Sequence, residues 1–420
     1  MRIFNLQKMT QREDVKLSVS IESERLGTQE LWFSTPKQYA DGLCDTRMDG
    51  FLVGMLFPAM QYGEDIHLEG CVSKKLLFNL NNYAIPLLMA FSPSSKAIKI
   101  TADQLSAERF DAKGIGTGFS AGVDSFCTVY DRYEMENDPD YKVNSFLFLN
   151  VGSHACGGHE GDLNFQEKKF RQRYSYLKRF PDEIGLPFIP LNSNLHAFHP
   201  WGHQKTCTLT LVSGLLIMQA EYRRYYISSL GWSYTQMFEF YKTDINKDIA
   251  FLDPVVLPIF STESMELIPD GTHYTRVQKT MHIVKYEPAK RYLNVCISGE
   301  GSHENCSICG KCSRTLMTLS SAGLLSEFEA VFNSSRYKEK AEKRFVREQV
   351  LLQSTDPFAQ GNIELAKKRG VKLPSVRAVV VLKYILSPKR TVKRVVFKIV
   401  KHVLPDAVRV CLKKKYKRGN

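Results

Sequence analysis

The sequence predicts an α/β protein on a mostly parallel sheet, preceded by a strand-rich N-terminal domain and followed by a helical, basic C-terminal extension. Three observations carry this prediction. Period-two segments crowd the first hundred or so residues, apolar extended and helical segments alternate from Gly114 onward, and positive charge is gathered at the chain's end. A chain of 420 residues is long enough for about two or three domains. Their boundaries are expected at 1–108, 109–325 and 326–420.

In the first domain, Val15 to Ile21 alternates strictly, and Glu30 to Phe33 and Ile66 to Gly70 are further extended segments. Asp49-Gly50 and Pro93 to Ser95 read as turns, Ser73 to Asn82 as a helix, and Ile98 to Ala102 as the closing strand. From Gly114 the order becomes strand to Phe119, loop, helix from Ser125 to Tyr133, and an apolar strand from Asn144 to Val151. That is a βαβ unit, expected to be parallel with a right-handed crossover. Phe188 to Leu191 follows as strand, Lys205 to Tyr225 as a long helix, Tyr226 to Ser229 as strand and Thr275 to Tyr286 as helix. Ser326 to Leu352 is helical and charged, Asn362 reads as a cap before a helix to Lys368, and Pro374, Pro388 and Pro405 divide the tail.

From Val371 onward there are fifteen Lys or Arg against the single acid Asp406, a balance of +14 in a chain whose total is +13. The body is therefore near neutral and the tail makes the protein basic. Val392, Val395, Val396, Ile399, Val400 and Val403 recur at helical spacing among Lys393, Arg394, Lys398 and Lys401. Such a basic amphipathic helix suits an anionic membrane surface, an acidic protein partner, RNA backbone or its own domain. RNA is the weaker expectation, because no aromatic platform accompanies the charge. No apolar run reaches the roughly 18 residues of a spanning helix, and neither a signal peptide nor a membrane span is expected. Ten cysteines, four of them within seventeen positions, argue against a disulfide scaffold and for a reduced, cytoplasmic setting, with the tail able to rest on the inner face of the membrane.

The segment Phe119-Ser120-Ala121-Gly122-Val123-Asp124-Ser125 lies between the first parallel strand and its helix. Small residues there expose backbone amides to phosphates, Ser120 and Ser125 add hydroxyls, and Asp124 can cap the helix or hold Mg²⁺ through water. An ordinary capped turn uses the same residues, so that reading stays open. The lysine-bearing P-loop is absent. Further on, Cys296, Cys306, Cys309 and Cys312 form C-x9-C-x2-C-x2-C. Four sulfurs at this spacing suit a closed, structural Zn²⁺ site, with an iron–sulfur cluster as the alternative.

The loop resembles the SGGxDS motif of the PP-loop ATP pyrophosphatases, whose sheet is of the adenine-nucleotide alpha-hydrolase-like type. The cysteine segment, continued by Arg314-Thr315-Leu316, is similar to the zinc-binding end of 7-cyano-7-deazaguanine synthase and related biosynthetic PP-loop proteins. The resemblance covers roughly residues 110 to 320 and leaves out the N-terminal unit and the tail. It implies ATP as cofactor, with Ser120, Gly122, Asp124 and Ser125 on its phosphates and Ala121 and Val123 within the same loop. Ala121 departs from the family's glycine, and a positive φ there would strain alanine. The implied reaction is adenylation of a small-molecule carboxylate followed by attack of ammonia or an amine to form a C–N bond. RNA modification, including thiolation, and a nucleotide-sensing interaction protein are the alternatives.

Other candidates surround this frame. His154, after the second parallel strand, is placed to touch nucleotide or substrate or else is a surface or hydrogen-bonded structural histidine, and Cys156 reads as a buried spectator rather than the thiol that a sulfur transferase would use. His196, His199 and His203 lack a carboxylate or cysteine at familiar metal spacing, while His203 and Lys205 at a helix start could meet an anion. Arg276 and Lys279, three apart, would share one helix face and stabilise departing pyrophosphate, or else pair with Glu263 or Glu266 on an exposed face. Glu263 could also recognise an amine or orient a nucleophile, and His303 could support the zinc cysteines or stand exposed. Oligomerisation is left open.

Overall fold

A computed structural model describes residues 1–155, 162–241, 248–296 and 303–386. Cys156 and the basic segment from 387 onward, including the valine stripe, lie outside the described residues. Among the described residues ten strands form one continuous sheet: β1 (Arg2–Gln11), β2 (Asp14–Ser23), β3 (Gly27–Pro36), β4 (Ile66–Ser73), β5 (Ile100–Ser106), β6 (Gly114–Gly118), β7 (Ser145–Leu149), β8 (Phe188–Ser193), β9 (Tyr222–Ser228) and β10 (Glu266–Asp270). Their spatial order is β10-β9-β6-β7-β8-β3-β2-β1-β4-β5.

The five strands from β10 to β8 are mutually parallel, as the alternation of strand and helix predicts. β3 joins this half by two antiparallel pairs to β8, Phe33 opposite Ser193 and Ser34 opposite Asn192. β1, β2 and β3 are antiparallel neighbours, and β4 lies parallel between β1 and β5. The fold is thus α/β with a strand-rich N-terminal part and a helix-dominated C-terminal region, in which helices account for most of residues 310–386.

Alternation along the parallel strands sends side chains into two cores. Leu147 and Leu149 enter the larger one with the Asp49–Tyr62 and His203–Ile217 helices. Phe146 and Phe148 enter the other, with helix residues Phe126, Phe170, Ile283 and Leu316. Strands buried on both faces carry apolar residues at nearly every position, which is why β7 reads as a continuous apolar run.

Several sequence expectations need correction. Asp49-Gly50 opens a fourteen-residue helix rather than a turn. Twelve of those fourteen residues are buried, so the segment has no polar face to give it a helical period. The long helix expected over Lys205 to Tyr225 ends at Ile217, because residues 222–228 pair as β9 beside β6. Asn362 does not cap a helix; it is buried inside Pro357–Lys368, whose N-cap is Asp356. β1, β10 and the helices Leu163–Leu177, Tyr234–Tyr241 and Asp253–Phe260 carried no expectation at all, and the Val376–Leu386 helix only that of a helical extension. No helix among the described residues is long and apolar enough to cross a membrane.

Candidate functional site

Strand order reverses around β6: β7 and β8 lie on one side of it, β9 and β10 on the other. In an open parallel sheet, the crevice beyond the carboxyl end of such a strand is where ligands bind. The loop Phe119–Gly122 and the Val123–Val129 helix leave β6 there. Gly116 allows the strand to sit against β9, since a Cβ would lie 2.5 Å from the Tyr222 ring and 2.7 Å from the Tyr225 ring. Phe119 anchors the loop in a nest of rings, with centroids 5.2 Å from Phe126 and 4.9 Å from Phe180.

Ala121 then turns the chain with φ +57°, the left-handed region that favours glycine. Its carbonyl accepts from the Asn294 amide at 2.7 Å, tying the loop to the strip of chain leading to the cysteines. Gly122 has φ −76° and needs no special freedom. The Ser120 and Ser125 hydroxyls lie 3.3 Å apart, and the Ser125 hydroxyl donates to the Gly122 carbonyl at 3.1 Å. Val123 is fully buried, and Asp124 alone extends a carboxylate from this turn.

Asp124 meets the two expected cations. Its Oδ2 lies 2.7 Å from Arg276 Nη2 and its Oδ1 3.4 Å from Lys279 Nζ. Thr275 and Gln278 form a capping box that starts the Arg276–Ile283 helix and presents both residues on one face. Lys279 is fully buried, donating to the Ser229 carbonyl at 2.9 Å and hydroxyl at 2.7 Å, beyond the end of β9. The alternative carboxylates are engaged elsewhere. Glu266 pairs with Arg224 at 2.8 Å, and Glu263 accepts from the Ser73 hydroxyl at 2.5 Å and the Lys75 amide at 2.8 Å.

The cleft above Asp124, about 190 Å³, is lined by Ser120, Gly122, Val123 and Asp124 together with Arg173, Arg276, Lys311 and Arg314. Three of these cations were not anticipated as site residues. Arg173 donates to Asn294 Oδ1 at 3.0 Å and to the Ser120 carbonyl at 3.3 Å. Nothing marks it in the sequence, because the Leu163–Leu177 helix is rich in charge throughout. Lys311 and Arg314 project from the first turns of the Gly310–Ala322 helix; their three-residue spacing beside the cysteines was a usable signal. Lys311 remains open to the cleft, yet the surrounding protein, followed by Arg276, pushes its pKa down. Arg314 is pushed down by burial and again by Arg276. Against these cations the described residues of the cleft lining set a single carboxylate, Asp124.

The four cysteines come together as their spacing predicts: the Sγ atoms of Cys296, Cys306, Cys309 and Cys312 all lie within 4.8 Å of one another. Tetrahedral zinc with Zn–S near 2.3 Å needs sulfurs about 3.8 Å apart, and Cys296 and Cys309 are at 4.0 Å. The donor set fits a four-coordinate thiolate metal. Backbone amides of Cys306 and Cys309 point at the sulfurs of Cys296 and Cys306, at 3.5 and 3.3 Å. Asn305 joins the two limbs: its side chain accepts from the Val295 amide at 2.9 Å and donates to the Leu293 and Val331 carbonyls. Cys296 also lines the cleft, so the cysteine cluster is part of its wall.

The histidines stand apart from this lining. His154 is enclosed by Phe148 and Phe170, at ring-centroid distances of 5.4 and 5.5 Å; burial, then Arg173, lowers its pKa to about 3. His203 is lowered to about 4 by burial, then by His196 and Lys311, and it is not among the residues that line the cleft. His199 is buried with Nε2 2.8 Å from the Gly54 carbonyl, a packing role. Lys205 is exposed and does not reach the cleft. His303 is half-buried beside Tyr176, and its carbonyl accepts from the Asn294 side chain.

Comparison with protein-family models, curated proteins and solved structures returned no match. The α/β fold with a four-cysteine cluster is broadly consistent with a PP-loop type of protein.

Proposed function

We propose that this chain is a PP-loop enzyme that uses ATP to adenylate a small-molecule carboxylate and then forms a C–N bond with ammonia or an amine. The observation that carries the reading is the convergence of Arg173, Arg276, Lys311 and Arg314 with the Ser120–Asp124 turn on a cleft whose described lining residues include one carboxylate. Cations surrounded by protein without matching anions favour a polyanionic ligand. The loop at the end of β6 supports the same reading, since its backbone can approach phosphates closely.

In this reaction a substrate carboxylate oxygen attacks the α-phosphorus of ATP, and the bond to the bridging oxygen breaks to release pyrophosphate. Ammonia or an amine then attacks the acyl carbon, AMP departs, and the nitrogen's surplus proton passes to solvent. Arg276, Lys311 and Arg314 stabilise the charge accumulating on pyrophosphate. Asp124 is suited to orient Arg276 and Lys279 and to bind Mg²⁺ through water. The cysteines would hold a structural Zn²⁺ that fixes the Gly310–Ala322 helix and so the aim of Lys311 and Arg314. Ser120, Gly122 and Ser125 would lie along the phosphates, with His203 and His154 bordering the acceptor end.

A nucleotide sensor is the second reading, favoured by Ala121 in a glycine-like conformation and by an Asp124 already engaged by two cations. Incubating zinc-loaded protein with Mg²⁺, ATP, ammonium and a pool of carboxylates, with mass-spectrometric detection, separates the two. The enzyme reading requires AMP and pyrophosphate, both lost in Asp124→Ala. Tight ATP binding with no cleavage across the pool would favour the sensor, and ADP with phosphate would overturn adenylation.

A further inference from the structure

Two arginines of the cleft share one aromatic ring. The Arg314 guanidinium carbon lies 4.1 Å from the Phe358 ring centroid and that of Arg276 lies 5.7 Å from it. Phe358 stands in the Pro357–Lys368 helix, in the C-terminal extension beyond the stretch that resembles PP-loop proteins.

That helix is held in place at successive points. Asp356 caps it, accepting from the Phe358 amide at 2.8 Å. Gly361 permits close approach, since a Cβ there would come within 3.1 Å of Val277 Cγ2. Asn362 is fully buried, and its Oδ1 accepts from the Thr318 hydroxyl at 2.7 Å. Positions 358, 361 and 362 share one helical face. This face therefore rests against both helices that supply the arginines, Arg276–Ile283 and Gly310–Ala322.

The arrangement answers an electrostatic difficulty. Arg276 and Arg314 repel each other at the back of a partly desolvated cleft, and the Nε atoms of both are buried without a hydrogen-bond partner. The face of an aromatic ring carries partial negative charge and attracts guanidinium groups, most strongly where water is excluded. A leucine of similar bulk fills space but offers no such face.

We propose, resting on the phosphate-cleft reading above, that Phe358 is a positioning residue that holds Arg276 and Arg314 in the cleft, so that the C-terminal extension completes the anion site. Phe358 acts through the two arginines and touches no ligand itself. The test is calorimetric titration of the full-length, zinc-loaded protein with magnesium pyrophosphate, comparing wild type, Phe358→Leu and Phe358→Tyr. Leucine weakens binding about tenfold, whereas tyrosine, which restores the ring, stays within about twofold of wild type. Trp232, with its ring 6.1 Å from Phe358, reports by fluorescence whether local packing survives, and Phe358→Met replaces the leucine variant if that one does not fold. Wild-type affinity in a folded leucine or methionine variant, or equal weakening by tyrosine, overturns the proposal. Failure of the wild type to bind pyrophosphate overturns the underlying cleft reading as well, and so is distinguished from failure of the Phe358 inference alone.

Discussion

Ala121 occupies a backbone conformation that costs an ordinary residue about 1–2 kcal/mol, and the Asn294 amide bond to its carbonyl helps hold it there. Ala121→Gly removes the strain but also a buried methyl, so unfolding free energy should change by less than about 1 kcal/mol. Ala121→Val should cost at least about 2 kcal/mol, because a branched side chain resists positive φ; denaturant unfolding measures both. The histidines make a second residue-scale prediction. Burial, then Arg173, holds His154 at about 3 in place of 6.5, while an unfolded chain titrates it normally. Between about pH 6.5 and 3 the unfolded state therefore binds more protons, and stability falls as pH drops through that window while remaining unaffected above it. Asp253, fully buried against Thr208 and raised to about 8, slopes the other way, but a His154→Phe substitution leaves it in place. Urea midpoints of the variant should thus fall less steeply with acid than those of wild type; parallel profiles would show that His154 keeps its ordinary pKa.

At the scale of elements, the Gly310–Ala322 helix connects the four-cysteine cluster to the cleft: Cys309 and Cys312 anchor its start, and Lys311 and Arg314 leave it between and beyond them. Cys312→Ser should lose bound zinc and weaken ATP binding about tenfold or more, although the substituted residue does not line the cleft. Metal analysis and equilibrium binding on the same sample check this. The elements legible in the sequence were those with local signatures: β2 by alternation, β6 and its helix by the small-residue turn, and the cysteine site by spacing. The Asp49–Tyr62 helix escaped because burial on all sides leaves no polar stripe. The strand expected over Tyr226 to Ser229 is the second half of β9; its first four residues were absorbed into the preceding helix because Tyr222 and Tyr225 continue an apolar sequence, while the turn before them, Met218 to Glu221, carries neither glycine nor proline. Lys279, which is buried outside the cleft lining, and the lining residues Asp124 and Arg276 were singled out from motif and helical spacing. Arg173 was not, since its role depends on packing against Asn294, 121 residues away.

For the whole molecule, the N-terminal strands and the parallel half share one sheet and one core, so the nominal first boundary carries no break in packing. The two halves also meet through a buried polar network. The Arg47 guanidinium donates to Ser264 at 2.8 Å and lies 3.7 Å from Asp49, which in turn accepts from Gln219 at 2.8 Å. Arg47→Ala should destabilise by about 3–5 kcal/mol, because it leaves buried acceptors and a carboxyl unmatched; chemical denaturation reads the loss. A chain beginning at Arg109 should fail to fold, having lost the partner of β8 and of the His203–Ile217 helix, and circular dichroism with size exclusion would detect it. The measurement that bears most directly on the central claim is equilibrium binding of a non-hydrolysable ATP analogue with Mg²⁺ to wild type and Arg314→Ala. The account requires one saturable site per chain, weakened at least about tenfold by the substitution; no binding to wild type, or equal affinity in both proteins, would contradict it.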